Sequence, residues 1–204
     1  KALGVKVYEG HGIAKVKGRT GVTGVQICRQ AGDEAVMMEL DCDCVAMSGG
    51  WSPVVHLWSH CGGKLNWDEA HAMFRPDPAR PATGGDGQAM VTAVGAANGD
   101  LQLPAIMAAF GIGAAAEDEG PLEACWLMPA QAPDALRFKA FLDYQNDVKV
   151  SDVQLAAREG YESVEHTKRY TTLGMATDQG KLSNINGLAV LSDALGRPIP
   201  ATGT

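Results

Sequence analysis

The hydrophobic pattern of the first 50 residues is typical of strands. Residues 5–16 and 22–28 carry β-branched residues in partial alternation with polar ones, and the turn-rich segment 17–21 separates them. Together with residues 34–40 they predict a three-stranded β-meander. Residues 41–50 form an apolar run that ends at a double glycine, which predicts a buried strand that leads into a ligand-binding turn.

The middle of the chain alternates between loop-type and apolar segments. Residues 75–88 are dense in Pro, Gly and Asp, and they predict a surface loop. The apolar run 90–97 predicts a second buried strand, and the Asn-Gly-Asp sequence at 98–100 predicts a turn. A helix rich in small residues is expected over 103–116, because Pro104 suits its first turn.

Helical patterns dominate after residue 150. Ser151 can cap a helix that stops near residue 160, and Ser163 can cap one that stops near residue 174. Residues 186–195 predict a third helix, which Gly196 closes. We therefore expect a strand-rich region followed by a small helical one.

Composition and charge narrow the class of protein. A hydrophobic fraction of 46% suffices for a core, and a formal net charge of -7 argues against a protein that binds nucleic acid through phosphate contacts. No run of residues is long and apolar enough for a membrane span, and no signal-peptide pattern is present. The cysteines are odd in number and scattered, which is typical of reduced thiols. A cytoplasmic protein is expected.

Both ends of the sequence favour an internal fragment of a longer protein. The chain begins without methionine and directly on a strand pattern, and it ends in loop-type residues.

The segment 93–116 is a candidate nucleotide site. Small residues at the end of a strand let a nucleotide approach the backbone, and the N–H groups at the start of the next helix attract its phosphates. A tight packing corner between a strand and a helix explains the same glycines and alanines equally well. The chain has no G-x-G-x-x-G motif that would decide between these interpretations.

The most specific pattern lies in the last third of the chain. The sequences FLDYQNDVKVSDV, VEHTKRYTTLGM and DQGKLSN resemble the small helical iron–sulfur domain typified by bacterioferritin-associated ferredoxin. In that domain four cysteines hold the cluster, and the matching positions here are Asp143, Gln145, Asp178 and Ser183. An Fe–S cluster requires thiolate ligands, so we expect none in this chain.

This cluster-free version, together with the order of the preceding elements, resembles the alpha subunit of heterotetrameric sarcosine oxidase. The resemblance implies an α/β region and an α region. It implies that residues 1–120 are a partial disulfide-reductase-like dinucleotide-binding domain with a β-meander and that 121–137 are a linker. Residues 138–204 would be a small all-helical domain together with the start of a linker to a folate-binding domain.

The same resemblance implies the cofactors and the reaction. NAD binds in the alpha subunit, and FAD and FMN belong to the beta subunit or to the alpha–beta interface. Gamma and delta subunits complete the heterotetramer. The whole enzyme demethylates sarcosine to glycine, passes the one-carbon unit to tetrahydrofolate and forms hydrogen peroxide. No catalytic residue is expected in this fragment, which is inactive by itself.

Carried over residue by residue, the resemblance places NAD contacts in one turn. The two contact residues are Ala96 and Leu101, and their neighbours in the turn are Asn98, Gly99 and Leu103. Backbone contact would explain the small residues. Three cations, Lys168, Arg169 and Lys181, are candidates to face FMN or the beta subunit, or else are solvated helix charges.

Other groups of residues give weaker evidence for a functional site. A zinc site built from Cys42, Cys44, His60 and Cys61 is disfavoured, because the C-x-C pair lies in an apolar run that would point both thiols into a core. We therefore predict no metal site. Three histidines have no Ser, Cys or carboxylate partner at motif spacing: His56, His71 and His166. Three tryptophans suggest an aromatic cluster near the proposed ligand site: Trp51, Trp58 and Trp67.

Two other functions stay open. The chain could instead belong to the alpha subunit of an opine or amino-acid dehydrogenase complex, or it could be a non-catalytic scaffold module. The absence of cysteines at the four cluster positions argues against the first of these.

Overall fold

A computed structural model describes residues 4–30, 36–113, 120–122, 124–127 and 139–203. The chain divides into two compact units. One is discontinuous and comprises Lys1–Met47 and Cys125–Gly203, and we call it the discontinuous unit. The other, the central unit, comprises Ser48–Ala124. Within the described ranges no helix is long and apolar enough to cross a bilayer.

The predicted β-meander is confirmed as a three-stranded antiparallel sheet with the order β1-β2-β3. Its strands are β1 (His11–Lys17), β2 (Gly24–Arg29) and β3 (Met38–Leu40). The central strand carries the buried apolar side chains Val25, Ile27 and Cys28. Alternating β-branched residues pair well across such a sheet, which is why the sequence pattern identifies it.

The prediction of two buried strands after the meander is wrong. Residues 41–50 form no strand, and most of them are exposed. Residues 90–97 also form no strand, and the segment ends in a 3₁₀ helix at Gly95–Asn98. A strand needs a hydrogen-bonded neighbouring strand, and in the described part of the chain no strand pairs with either run.

The central unit contains a hairpin that the sequence pattern did not predict. After the short helix α1 (His56–His60), strands β4 (Leu65–Asp68) and β5 (Met73–Pro76) pair antiparallel. The Trp67 and Phe74 rings meet edge to face across this pair, with their centroids 4.9 Å apart. Helix α2 (Leu103–Ala109) follows, with Pro104 in its first turn as predicted, but it ends earlier than the predicted residue 116.

The last third of the chain is a short hairpin followed by helices, so the expectation that residues 138–204 are all-helical is wrong at the hairpin. The hairpin strands are β6 (Phe141–Asp143) and β7 (Val148–Lys149). The helices are α3 (Val150–Arg158), α4 (Val164–Thr171), α5 (Asn184–Leu195) and α6 (Ile199–Thr202). The first three confirm the predicted helices, and Gly196 ends α5 with a φ of 63°.

The cap of helix α3 differs from the prediction. Ser151 lies inside the helix, whereas Lys149 occupies the N-cap. The backbone N–H of Lys149 donates to the Asp152 carboxylate at 2.8 Å. An acidic residue in the first turn therefore satisfies the backbone N–H of the N-cap residue. Ser163 does occupy the N-cap of α4, although its side chain makes no capping hydrogen bond.

Helix α5 is the centre of the helical core. Its residues Gly187 to Ser192 are all buried, and it packs against α3. Gly187 lies so close to Leu173 that an added Cβ would come within 2.3 Å of a Leu173 methyl carbon. The core side chains are Leu142, Val148, Val153, Leu173, Val190 and Leu191.

Candidate functional site

The segment 95–103 forms a tight turn in the central unit, which we call the 95–103 turn. Gly99 ends the 3₁₀ helix with a φ of 87°, a left-handed conformation that glycine adopts without strain. The Gly99 N–H donates to the Ala96 carbonyl and the Asp100 N–H to the Gly95 carbonyl, both at 3.1 Å. These two hydrogen bonds fix the direction of the backbone through the turn.

All five residues predicted to contact or neighbour NAD lie on this turn. Ala96 and Asn98 belong to the 3₁₀ helix, and Gly99 follows it. Leu101 lies in the connection, and Leu103 is the first residue of α2. Ala96, Leu101 and Leu103 are exposed to solvent. Their contact with NAD remains a prediction.

Arg75 of strand β5 holds the turn from one side. Its Nε donates to the Asn98 carbonyl oxygen at 2.8 Å, and its Nη2 donates to Asp100 Oδ1 at 3.2 Å. The arginine approaches so closely that a Cβ added to Gly99 would lie 2.6 Å from Nε. Position 99 therefore requires glycine both for its φ and for the space.

A second carboxylate lies on the other side of the guanidinium. Arg75 Nη1 donates to Asp68 Oδ2 at 3.3 Å, and His71 Nδ1 lies 3.0 Å from the same oxygen. Burial alone raises the pKa of Asp68, but hydrogen bonds from His71 and Arg75 outweigh it and hold that pKa below its usual range. The expectation that His71 has no carboxylate partner is therefore wrong.

No sequence pattern identifies Arg75 as a site residue. Arg75 and Asn98 are 23 positions apart, and no motif spacing links them. The available signal was weak: Asp68 ends strand β4 and Arg75 lies in strand β5, and only the pairing of these two short strands brings them together.

An apolar pocket of about 190 Å³ borders the turn at Asn98. Its lining comes from the side chain of Trp58, from prolines of the 76–81 segment and from residues of the 89–93 segment. Trp58 is buried, and its Nε1 donates to the Lys64 carbonyl at 2.7 Å, which fixes the indole in the wall. The predicted tryptophan cluster is not seen in the described ring contacts, where Trp67 pairs with Phe74.

In the helical part, Asp143 occupies the first of the four cluster-ligand positions. It is buried, and its carboxylate accepts hydrogen bonds from the N–H groups of Gln145 (2.9 Å), Asn146 (3.1 Å) and Gly174 (2.9 Å). Burial raises the pKa of Asp143, but these backbone N–H groups together lower it below its usual range. The carboxylate thus joins the β6–β7 hairpin to the segment after α4.

The other cluster-ligand positions lie on or against that segment, residues 172–184, which we call the 172–184 loop. The Gln145 amide oxygen accepts from the Thr177 N–H at 3.0 Å and from the Thr177 hydroxyl at 2.5 Å. Asp178 Oδ1 accepts from the Gly180 N–H at 3.2 Å. Ser183 is buried, and its hydroxyl has no hydrogen-bond partner among the described residues.

The side chain of Asn184 fills the middle of the loop. A Cβ added to Gly174 would lie 2.1 Å from Asn184 Oδ1, and one added to Gly180 would lie 2.2 Å from the same amide group. Both glycines have a positive φ. The residues around this loop therefore offer carboxylate, amide and hydroxyl groups and no thiolate, which does not suit an Fe–S cluster.

The remaining candidates are dispersed. Cys42 and Cys44 lie in an irregular segment and are partly or fully exposed, so the prediction that both face a core is wrong. Within the described ranges no three His, Cys, Asp or Glu side chains are grouped to hold a metal ion. Of the candidate cations, Lys168 pairs with Glu165 at 3.4 Å, whereas Arg169 and Lys181 are exposed.

Comparison with solved structures defines the class of fold. The chain resembles the crystal structure of L-proline dehydrogenase from P. horikoshii, with a TM-score of 0.57 and 22% sequence identity. The match covers 93% of this chain and 40% of that one. The chain therefore has a mixed α/β fold of the kind found in that dehydrogenase.

Comparison with known sequences finds similar proteins of one kind. Residues 137–204 match the family model of the sarcosine oxidase A3 domain. The chain is 34% identical over 199 residues to the sarcosine oxidase subunit alpha of Rhizobium meliloti (strain 1021), a match that covers 94% of the chain. It is 38% identical over 173 residues, or 79% of the chain, to that of Corynebacterium sp. (strain U-96). The predicted resemblance to sarcosine oxidase alpha subunits is confirmed.

The chain spans about a fifth of the length of these relatives, 20% and 18% respectively. Their names describe one subunit of an oxidoreductase, and a subunit alpha implies a complex of several subunits. The chain is therefore similar to one region of an oxidoreductase subunit.

Proposed function

We propose that the chain is a region of the alpha subunit of a flavin-dependent sarcosine oxidase, where it supplies an NAD-binding turn and a surface for other subunits. The observation that carries this proposal is the 34% identity to a curated alpha subunit along 94% of the chain. The whole enzyme would demethylate sarcosine to glycine oxidatively, with tetrahydrofolate as acceptor of the one-carbon unit and hydrogen peroxide as product.

The proposed domains follow from the same resemblance. Residues 1–120 would be part of a disulfide-reductase-like dinucleotide-binding domain, 121–137 a linker, and 138–204 a cluster-free helical domain. The match of 137–204 to the A3 domain supports the last of these.

NAD is proposed to bind along the 95–103 turn. Two features support this: Leu101 and Leu103 are exposed, and an apolar pocket adjoins Asn98. The pocket could take an uncharged ring, while the turn contacts the rest of the dinucleotide. These residues bind and orient the nucleotide. None of them is proposed to move a proton, since FAD and FMN in the beta subunit or at its interface would supply the redox chemistry.

The helical part is proposed to contact the beta, gamma or delta subunits in a cytoplasmic heterotetramer. Large apolar side chains are exposed on and beside the 172–184 loop: Tyr144 by 79%, Met175 by 61% and Leu182 by 76%. Exposed apolar groups of this size on a rigid support are typical of protein interfaces. Lys181 would add a positive charge to this surface.

Nucleotide binding tests the proposal directly. The thermal unfolding midpoint of the chain should rise on addition of NAD, because a ligand that binds only the native state stabilises it. Gly99→Ala should abolish this rise, since its Cβ would collide with Arg75. The matched control is Gly85→Ala in the same unit, where an added Cβ meets nothing within 4 Å and should leave the response unchanged. No rise with the unmodified chain would contradict NAD binding.

A second candidate, the alpha subunit of an amino-acid or opine dehydrogenase complex, is favoured by one observation. The solved structure that the fold resembles is named an L-proline dehydrogenase. Iron and sulfide analysis of protein prepared anaerobically distinguishes the two, because the helical domain of such dehydrogenase subunits keeps its cysteine ligands. Stoichiometric iron would favour the dehydrogenase. A third possibility, a scaffold module, predicts no effect of NAD on unfolding.

A further inference from the structure

We infer that Arg75 is a positioning residue of the nucleotide site: it holds the 95–103 turn in the shape that binds the ligand. This inference rests on the proposed binding of NAD at that turn. Arg75 itself lies on strand β5 and is not among the residues expected to touch the nucleotide.

The contacts of the guanidinium reach three separate acceptors. One is the backbone carbonyl of Asn98, one is the carboxylate of Asp100, and the third is the carboxylate of Asp68 at the end of strand β4. The first two belong to the turn and the third to the hairpin. Arg75 therefore ties the turn to a regular element of the same unit.

The geometry requires an arginine. A guanidinium presents its N–H groups in a rigid plane, so it can donate in three directions at once, whereas a lysine ammonium is a single point charge on a flexible stem. The side chain is 31% exposed, and its hydrogen bonds are less screened than those of a surface ion pair. Asp68 is in turn held by His71, which limits the rotation of the whole group.

The carbonyl contact is the one that shapes the turn. The Asn98 carbonyl comes immediately before Gly99, whose left-handed conformation reverses the chain. A donor fixed at 2.8 Å from this oxygen selects one orientation of the 98–99 peptide. Asn98 Nδ2 also donates to Asp100 Oδ2 at 3.0 Å, so both ends of the reversal are tied together. The turn is thereby ordered before a ligand arrives, which lowers the entropic cost of binding.

The experiment compares Arg75→Met with Arg80→Met in the 204-residue chain. Arg80 is a matched control, because it pairs with Asp77 in the same unit and does not contact the turn. Hydrogen exchange at the Gly99 and Asp100 amides measures the order of the turn, and titration with NAD measures affinity. In Arg75→Met both amides should exchange about tenfold faster and NAD should bind about tenfold more weakly, a change of about 1.4 kcal/mol. Arg80→Met should change neither quantity more than about twofold.

Chemical rescue separates positioning from general stability. In Arg75→Ala, millimolar ethylguanidinium should restore NAD affinity and slow the two amides, whereas ethylammonium should restore neither. Unchanged exchange at Gly99 and Asp100 in Arg75→Met would overturn the inference whether or not NAD binds. Unchanged NAD affinity in a variant with faster exchange would overturn it as well. If the unmodified chain fails to bind NAD, the proposed function fails, and the exchange rates alone decide whether Arg75 orders the turn.

Discussion

Asp143 shows how a single carboxylate can organise a segment that lies far away in sequence. It accepts three backbone N–H groups, and one of them, that of Gly174, is 31 residues distant. Backbone donors in the interior of a protein are costly to leave unpaired, so each of these bonds stabilises the native loop more than an exposed bond would.

Replacing this carboxylate should therefore destabilise the helical part. In Asp143→Asn one acceptor oxygen becomes an NH₂ group that faces a backbone donor, and we expect a loss of about 1–3 kcal/mol in the free energy of unfolding. Urea unfolding monitored by circular dichroism measures it. Asp147→Asn is the matched control, because Asp147 is exposed and its φ of 55° suits asparagine. Equal stability of the two variants would refute the role given to Asp143.

The sequence predicted the position of Asp143 but not its function in the fold. Its correspondence to a cluster ligand was visible in the motif, and so was the absence of thiols. The hydrogen bonds to the 172–184 loop were not, because they depend on a contact between residues with no fixed spacing. Arg75 is a similar case, since its partners in the turn are identifiable only once the hairpin exists.

At the scale of elements, helix α5 depends on the absence of a side chain at one position. Gly187 faces Leu173, whose side chain is 1% exposed, so an added Cβ would have to displace a buried side chain. Glycine costs a helix about 1 kcal/mol relative to alanine, so its presence here is explained by packing rather than by propensity.

Gly187→Ala should accordingly destabilise the protein even though alanine is the better helix former. Overpacking typically costs about 1–3 kcal/mol, which exceeds the gain in propensity. The Asp193→Ala variant provides the comparison, because this residue is on the exposed side of the same helix and should gain or keep stability. The free energy of unfolding from urea titrations distinguishes the two. A stabilising Gly187→Ala would show that Leu173 can repack.

The elements that the sequence predicted correctly are those stabilised by nearby residues. Helices α3, α4 and α5 and the β-meander depend on local periodicity and on neighbours in the chain. The predicted strands at 41–50 and 90–97 depended on distant partners, and the described residues contain no strand to pair with them. The β4–β5 hairpin was missed because its four-residue strands are too short to show alternation.

At the scale of the whole molecule, acidification should weaken both units. Asp77, which Arg80 holds by a hydrogen bond, has a lowered pKa, and so do Asp68 and Asp143. A carboxylate whose pKa is lower in the folded state stabilises it above the unfolded pKa of about 3.9. That contribution is lost as the pH falls through the folded pKa.

The unfolding midpoint in urea should thus be nearly constant between about pH 7 and pH 5 and should fall as the pH drops below about 4. Asp143→Asn should show a smaller fall, since this position can no longer titrate. If the unfolding midpoint varied with pH in the same way in both proteins, Asp143 would not contribute to the pH dependence of stability. Stability that increased on acidification would contradict the sign assigned to all three carboxylates.

The 172–184 loop is closed by a carboxylate, two amides and two glycines that admit the side chain of Asn184. Every group in this closure is encoded in the chain and is present as soon as the chain is synthesised. These hydrogen bonds and packing contacts form without iron, sulfide or the factors that would deliver them. A closure through thiolate ligands would be sensitive to redox conditions, whereas this closure depends on the charge of the Asp143 carboxylate and therefore varies with pH.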